Sequence, residues 1–135
     1  MKITRFEDLQ CWQEARTLVN MVYAAIRNST SFQRDFRLSN QITGAAISSM
    51  SNIAEGFSRR SNKEFIQYLF ISKSSATEVQ SEAYVASDQK YISHEIFEKI
   101  YNQAEKVSKL DSGFITYLLQ NEKRYGNTIK LKKLN

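Results

Sequence analysis

No proline occurs anywhere in this chain and only four glycines do, so the residues that end helices and turn strands are nearly absent from its 135 positions. Sandwiches and barrels need such punctuation at every hairpin, whereas long uninterrupted helices do not. The predicted fold class is therefore all-α. With 41% hydrophobic and 12% aromatic residues, the chain carries enough apolar side chain for one globular core.

A single cysteine, Cys11, excludes an internal disulfide, and the opening Met1-Lys2-Ile3-Thr4-Arg5-Phe6-Glu7-Asp8 lacks the apolar run of a signal peptide. No stretch reaches the apolar length that spans a bilayer. The expectation is a cytoplasmic protein with no membrane partner. The formal charge of +5 is not spread evenly. Of the 19 Lys+Arg residues, five (Lys123, Arg124, Lys130, Lys132 and Lys133) fall in 123–135, where there is no acid. The other basic residues are matched by the 14 Asp+Glu of residues 1–122. The expected organisation is a neutral four-helix body over 1–122 followed by a basic tail over 123–135, and such a tail is a common way to hold a polyanion.

Helix one is expected from about Leu9 to Asn28, because Trp12, Ala15, Leu18, Val19, Val22, Tyr23 and Ile26 recur at the spacing of one buried face. Asn28-Ser29-Thr30-Ser31 reads as a polar break. Helix two starts near Asp35 to Leu38 and stops at Gly56, the expected left-handed cap. Glu55, at the negative end of that helix, calls for Arg59 or Arg60 as a partner. Ser61-Asn62-Lys63-Glu64 is a capping box that opens helix three. Helix three runs to about Lys90 with Phe65, Tyr68, Leu69, Ser72, Ala76, Val79, Ala83 and Ala86 on one face, and would be about 40 Å long. Ser93 opens helix four, which runs to about Asn121 with Ile96, Phe97, Ile100, Ala104, Val107, Leu110, Phe114, Leu118 and Leu119 as its stripe. Gly113 falls inside it, where a glycine weakens or bends a helix.

Short connections make neighbouring helices antiparallel, which predicts an up-down-up-down four-helix bundle. If helices two and three turn about Phe57 to Arg60, Ala45 and Ala46 meet Ser72, and Ile42 meets Ser75 and Ala76. Small residues on both sides then allow close backbone approach, so the Ala/Ser richness needs no catalytic explanation. In helix four, Phe97 and Tyr101 fall beside the apolar stripe, leaving area for a second copy and predicting a homo-oligomer.

Phe6-x-x-Leu9-x-x-Trp12-Gln13-x-Ala15, Leu38-Ser39-x-Gln41-Ile42, Ala45-Ala46-x-Ser48, Ser51-Asn52-Ile53-Ala54-Glu55-Gly56 and Lys63-Glu64-Phe65-x-x-Tyr68-Leu69 resemble the four-helix bundle proteins encoded in intervening sequences of bacterial 23S ribosomal RNA genes. The match continues through Ser74-x-x-x-Glu78 and Tyr91-Ile92. This resemblance implies a bundle that assembles as a homopentamer and has no established enzymatic activity. A related fold, the accessory protein of diversity-generating retroelements, binds nucleic acid and a reverse transcriptase, so RNA, DNA and a reverse transcriptase or other protein are the partners implied. The chain departs from the family pattern at Thr43-Gly44, where many members have two arginines, and at Lys90, where members usually have glycine. A non-glycine residue in the left-handed region there costs on the order of 1 kcal/mol.

The sequence excludes several chemistries. His94 is the one histidine and follows a cap, so it reads as a solvent-facing first-turn residue. One Cys and one His do not make a usual zinc set. A di-iron bundle needs Glu-x-x-His on two helices, and the residue three before His94 is Tyr91. No cofactor or metal is expected, and there is no glycine-rich phosphate loop. Glu78 and Glu82 sit one turn apart on helix three and read chiefly as a polar layer or subunit contact, with Arg16, Arg37 or Lys73 as the cation they need. A small metal-free enzyme using Glu78, Glu82 or Glu55 as a base is the alternative, and it requires those carboxylates to line an open pocket. Cys11 beside Trp12 reads as a small buried hydrophobe.

For binding, the densest basic cluster of the body is Arg59 and Arg60 with Lys63, on a turn that can face phosphates unless Glu55 and Glu64 claim the arginines. Lys130, Lys132 and Lys133 in the tail alternate with Ile129, Leu131 and Leu134, a pattern suited to a phosphate-binding arm, a strand added to a neighbour, or an unfolded end. The functional expectation is a non-enzymatic oligomeric scaffold or adaptor with RNA or DNA bound at these two basic elements.

Overall fold

The computed structural model describes residues 2–121 and the backbone of 129–130. A two-residue strand β1 (Lys2–Ile3) and a 3₁₀ turn (Phe6–Asp8) precede α1 (Gln10–Arg27), a short α2 (Thr30–Arg34), α3 (Phe36–Phe57), α4 (Asn62–Asp88) and α5 (His94–Gln120). β2 (Ile129–Lys130) pairs antiparallel with β1, Lys130 opposite Lys2 and Ile129 opposite Ile3. The four long helices alternate in direction. α3 packs on α1 and α4, α5 also packs on α1 and α4, and α1 lies diagonally across from α4. This is the expected four-helix bundle.

Caps set most helix ends. Ser61 Oγ accepts from Glu64 N at 3.2 Å, and Ser93 Oγ accepts from Ile96 N at 3.1 Å. The Glu64 carboxylate takes the Ser61 hydroxyl at 3.3 Å rather than a backbone amide, so half of the capping box forms. α4 ends in a six-to-one and five-to-two pair of bonds, Tyr91 N to Ala86 O at 2.9 Å and Lys90 N to Ser87 O at 2.9 Å. This closure puts Lys90 at φ 63, the left-handed conformation that glycine usually fills.

Three expectations are corrected. Asn28–Ser31 is not merely a break: Ser29 Oγ caps Phe32 N at 3.2 Å and starts α2, which buries Phe32. Gly56 is not a left-handed cap, because α3 continues through it to Phe57 and is capped at Ser58 with φ −72. Its role is steric. A Cβ at Gly56 would lie 2.6 Å from Tyr68 Cβ and 2.7 Å from a Phe65 ring carbon, so only glycine lets α4 approach so closely. The α3–α4 register is also shifted by about one turn. Ser49 rather than Ala45 or Ala46 faces Ser72, and Ser48 rather than Ile42 faces Ser75, with α3 running on through Gly56 to Phe57 before the chain turns.

The core runs along the bundle axis through Leu18, Val22, Ile42, Ile53, Leu69, Val79, Ile100 and Val107, all essentially inaccessible to water. Phe65 is the fully buried hinge of an aromatic group, with ring centroids 6.2 Å from Phe57 and 5.4 Å from Phe114. Burying each such side chain contributes about 2–3 kcal/mol. Trp12 is packed as expected, its ring 5.2 Å from Phe6 at 65°. Tyr23, Ile96 and Leu119 lie outside the buried face assigned to them, and α1 buries Cys11 and Ala25 instead. Phe97 and Tyr101 are not left for a neighbour: Tyr84 of α4 covers both, at 4.7 and 6.0 Å between centroids.

The bundle has two distinct ends. The turn end holds the α3–α4 connection, the N-terminal strand and the last turn of α5, tied by Asn62 Nδ2 donating to Leu118 O at 3.4 Å and to Asn121 O. The corner end holds α2 and the α4–α5 connection. There Tyr91 stacks on Phe32 at 5.4 Å and 27°, and its hydroxyl donates to Asp35 Oδ2 at 3.0 Å.

Candidate nucleic-acid interface and buried polar layer

The three basic residues of the turn end do not act as one cluster. Arg59 reaches Glu55 Oε1 at 3.3 Å, donates to the Tyr68 hydroxyl and lies 5.0 Å over that ring, so it is committed to holding the turn against α4. Arg60 and Lys63 are exposed and form no ion pair among the described residues. Glu55 thus takes Arg59, one of the two partners expected for it. The β1–β2 pairing brings the Lys130 backbone to this same end, alongside exposed Lys2. Lys132 and Lys133 lie outside the described residues.

The acidic pair of α4 is split by burial. Glu78 is exposed, whereas Glu82 is buried and both its oxygens are sealed from water without a hydrogen bond of ordinary geometry. Burial first, and then the neighbouring Glu78 carboxylate, push the Glu82 pKa up to about 8. Among the described residues neither Arg16, Arg37 nor Lys73 forms an ion pair with either carboxylate: Arg16 lies 5.7 Å over the Trp12 ring, and Lys73 acts on Asp111. With both oxygens sealed, the Glu82 carboxylate is not presented to solvent. A groove of about 290 Å³ opens elsewhere, at the corner end, between Met21, Ala24, Tyr91, Ile92, Ile96 and Ile100. His94 is solvent-facing, its Nε2 3.2 Å from Glu98 Oε1.

A site that the sequence reading missed lies at the bundle centre. Asp111 of α5 is fully buried, and its Oδ2 accepts the Ser72 hydroxyl of α4 at 2.6 Å. Ser72 also meets Ser49 of α3 at 3.0 Å, and the Cys11 thiol of α1 neighbours the same carboxyl. One polar layer thereby joins all four long helices. Asp111 Oδ1 is sealed from water without a partner of ordinary geometry. Desolvation raises the Asp111 pKa to about 7 against the opposing effects of Ser72, Lys73 and Cys11. Burial, then the Asp111 charge, hold the Cys11 thiol far above its ordinary range, which suits a buried, unreactive thiol. The only sequence signal was an aspartate on the inner stripe of helix four, between Val107 and Phe114.

Among the described residues no group of three or more His, Cys, Asp or Glu is placed to hold a metal, and no helix is long and apolar enough to cross a membrane. Fold and sites together define a four-helix bundle with a committed interior and basic, apolar and polar surface elements. The profile of the 23S rRNA-intervening sequence proteins matches residues 7–113, and the chain belongs to that family. Among solved structures it is similar to a protein of unknown function from the S23 ribosomal protein family of Bacteroides thetaiotaomicron, with 25% identity and a TM-score of 0.70 over 78% of this chain and 97% of that one. No curated protein matches the chain.

Proposed function

We propose that this protein is a non-enzymatic, self-associating scaffold or adaptor that holds RNA or DNA in the cytoplasm. The observation that carries the self-association is the outer side of α4. Phe70, Ile71, Tyr84 and Val85 are exposed there, and Ile47 is exposed on the adjacent α3, although the inner side of α4 is already fully packed. Apolar side chains on both sides of one helix fit a surface that another copy covers. The assembly proposed is a homopentamer, in line with the family resemblance. A ring repeats Arg60, Lys63 and the tail lysines Lys130, Lys132 and Lys133, so weak phosphate contacts gain strength through effective concentration.

Light scattering after size exclusion at micromolar concentration tests the assembly, with Phe70→Glu/Ile71→Glu as the disrupting variant. A monomer mass for the unaltered chain refutes it. Fluorescence anisotropy with structured RNA and duplex DNA at low salt tests the binding. If the intact assembly binds neither, a protein partner, such as a reverse transcriptase, becomes the better reading.

A further inference from the structure

Phe36 is the most exposed large apolar side chain described, at 73% of its full accessibility, and it stands between Arg34 and Arg37 at the corner end. We propose that this corner is a contact site for single-stranded nucleic acid, in which a base stacks on the Phe36 ring and the guanidinium groups take the flanking phosphates. The inference rests on the nucleic-acid reading above and places a contact at the end of the bundle opposite Arg60 and Lys63.

The ring is exposed but its backbone is fixed. Asp35 Oδ1 caps Leu38 N at 3.0 Å, Asp35 Oδ2 takes the Tyr91 hydroxyl, and Ser39 Oγ donates to Phe32 O at 2.7 Å. Buried Phe32 anchors α2 from below. Phe36 therefore sits on a rigid corner, where stacking does not require ordering a loop. Asp35, the nearest acid in sequence, gives its two oxygens to the Leu38 amide and the Tyr91 hydroxyl, and among the described residues neither Arg34 nor Arg37 forms an ion pair with it.

The charge around the ring is net positive. Arg27 at the end of α1, Arg34, Arg37 and Lys90 are exposed, and none forms an ion pair among the described residues. Gln33 Nε2 donates to Arg27 O at 2.9 Å, and the Tyr91–Asp35 bond draws the α4–α5 connection in, so these cations belong to one end. Against these four cations stand half-buried Asp35 and exposed Asp88, while Glu95 and Glu98 face Lys99 and His94. A second copy docking through the same corner would set cations against cations. A polyanion that also presents flat π faces satisfies both the charge and the ring, and only unpaired bases are free to reach a protruding ring.

The test is anisotropy of a labelled short uridine-rich RNA at several salt concentrations, with Phe36→Ala, Phe36→Trp, Arg34→Ala/Arg37→Ala and Arg60→Ala/Lys63→Ala. Circular dichroism and light scattering accompany each variant. Phe36→Ala should weaken binding about tenfold with the helix content and mass unchanged, and Phe36→Trp should restore it. Arg34→Ala/Arg37→Ala should lower the log–log salt slope by about 1.4. Unchanged binding by both corner variants, with loss on Arg60→Ala/Lys63→Ala, overturns the corner site and leaves the nucleic-acid reading standing. No binding of this RNA by the unaltered protein overturns the corner site, and no binding of structured RNA or duplex DNA as well defeats the nucleic-acid reading with it. A changed oligomeric mass for Phe36→Ala overturns the site in favour of a subunit contact.

Discussion

Ser72 donates a 2.6 Å hydrogen bond to Asp111 Oδ2, whereas Oδ1 is sealed from water without a partner of ordinary geometry. The price of that sealing falls on the ionised form, which burial disfavours.

Asp111 accordingly makes stability depend on pH. Its pKa is raised from 3.8 to about 7 in the folded chain. Between those values the unfolded chain has released the proton that the folded chain keeps. Stability is fullest below the unfolded value, falls as pH rises through this window and levels off above about pH 7. Asp111→Asn should raise stability at alkaline pH by about 2 kcal/mol and flatten the dependence. Urea unfolding at acidic and alkaline pH measures both; an unchanged pH slope would show that Asp111 is ionised in the native state.

Glu82 should add a second component of the same sign, extending to about pH 8, since its pKa is raised from 4.5. Glu82→Gln should remove that component while leaving the Asp111 component in place. Carbon-13 shifts of the side-chain carboxyls, followed against pH, assign the two midpoints independently of stability. A Glu82 midpoint at the ordinary carboxylate value would refute the burial argument.

Two glycines should respond oppositely to alanine. Gly56→Ala places a methyl within 2.6 Å of Tyr68 Cβ and should destabilise the protein by about 2 kcal/mol. At Gly113, in mid-α5, nothing lies within 4 Å of the added methyl, so Gly113→Ala should stabilise by about 0.5–1 kcal/mol. Paired thermal melts decide it, and equal shifts of the same sign would contradict the steric assignment.

At Lys90, where φ is 63, glycine should be better tolerated than lysine. Lys90→Gly is expected to stabilise the chain by about 1 kcal/mol, and Lys90→Val to destabilise it. Chemical denaturation reads both, and a loss of stability in the glycine variant would mean that the Lys90 side chain contributes more than its backbone costs.

The sequence by itself determined the four long helices, their alternating direction and most of their ends. Those features depend on local chemistry: Ser61 and Ser93 satisfy amides three residues away, and apolar side chains at three-and-four spacing face one way whatever they pack on. Lys90 in a left-handed position was legible only through the family resemblance, whose members usually carry glycine there. Tertiary structure decided whatever depends on distant partners. Gly56 looks like a stop signal until α4 lies across it, and the α3–α4 register turns on how far the helix runs past that glycine. Cys11, Ser49, Ser72 and Asp111 are far apart along the chain, and desolvation is a property of what surrounds a group, so no local pattern marked the layer they form. For the same reason Phe97 and Tyr101, expected to be free, are covered by Tyr84, whereas Phe36 between its arginines is left uncovered.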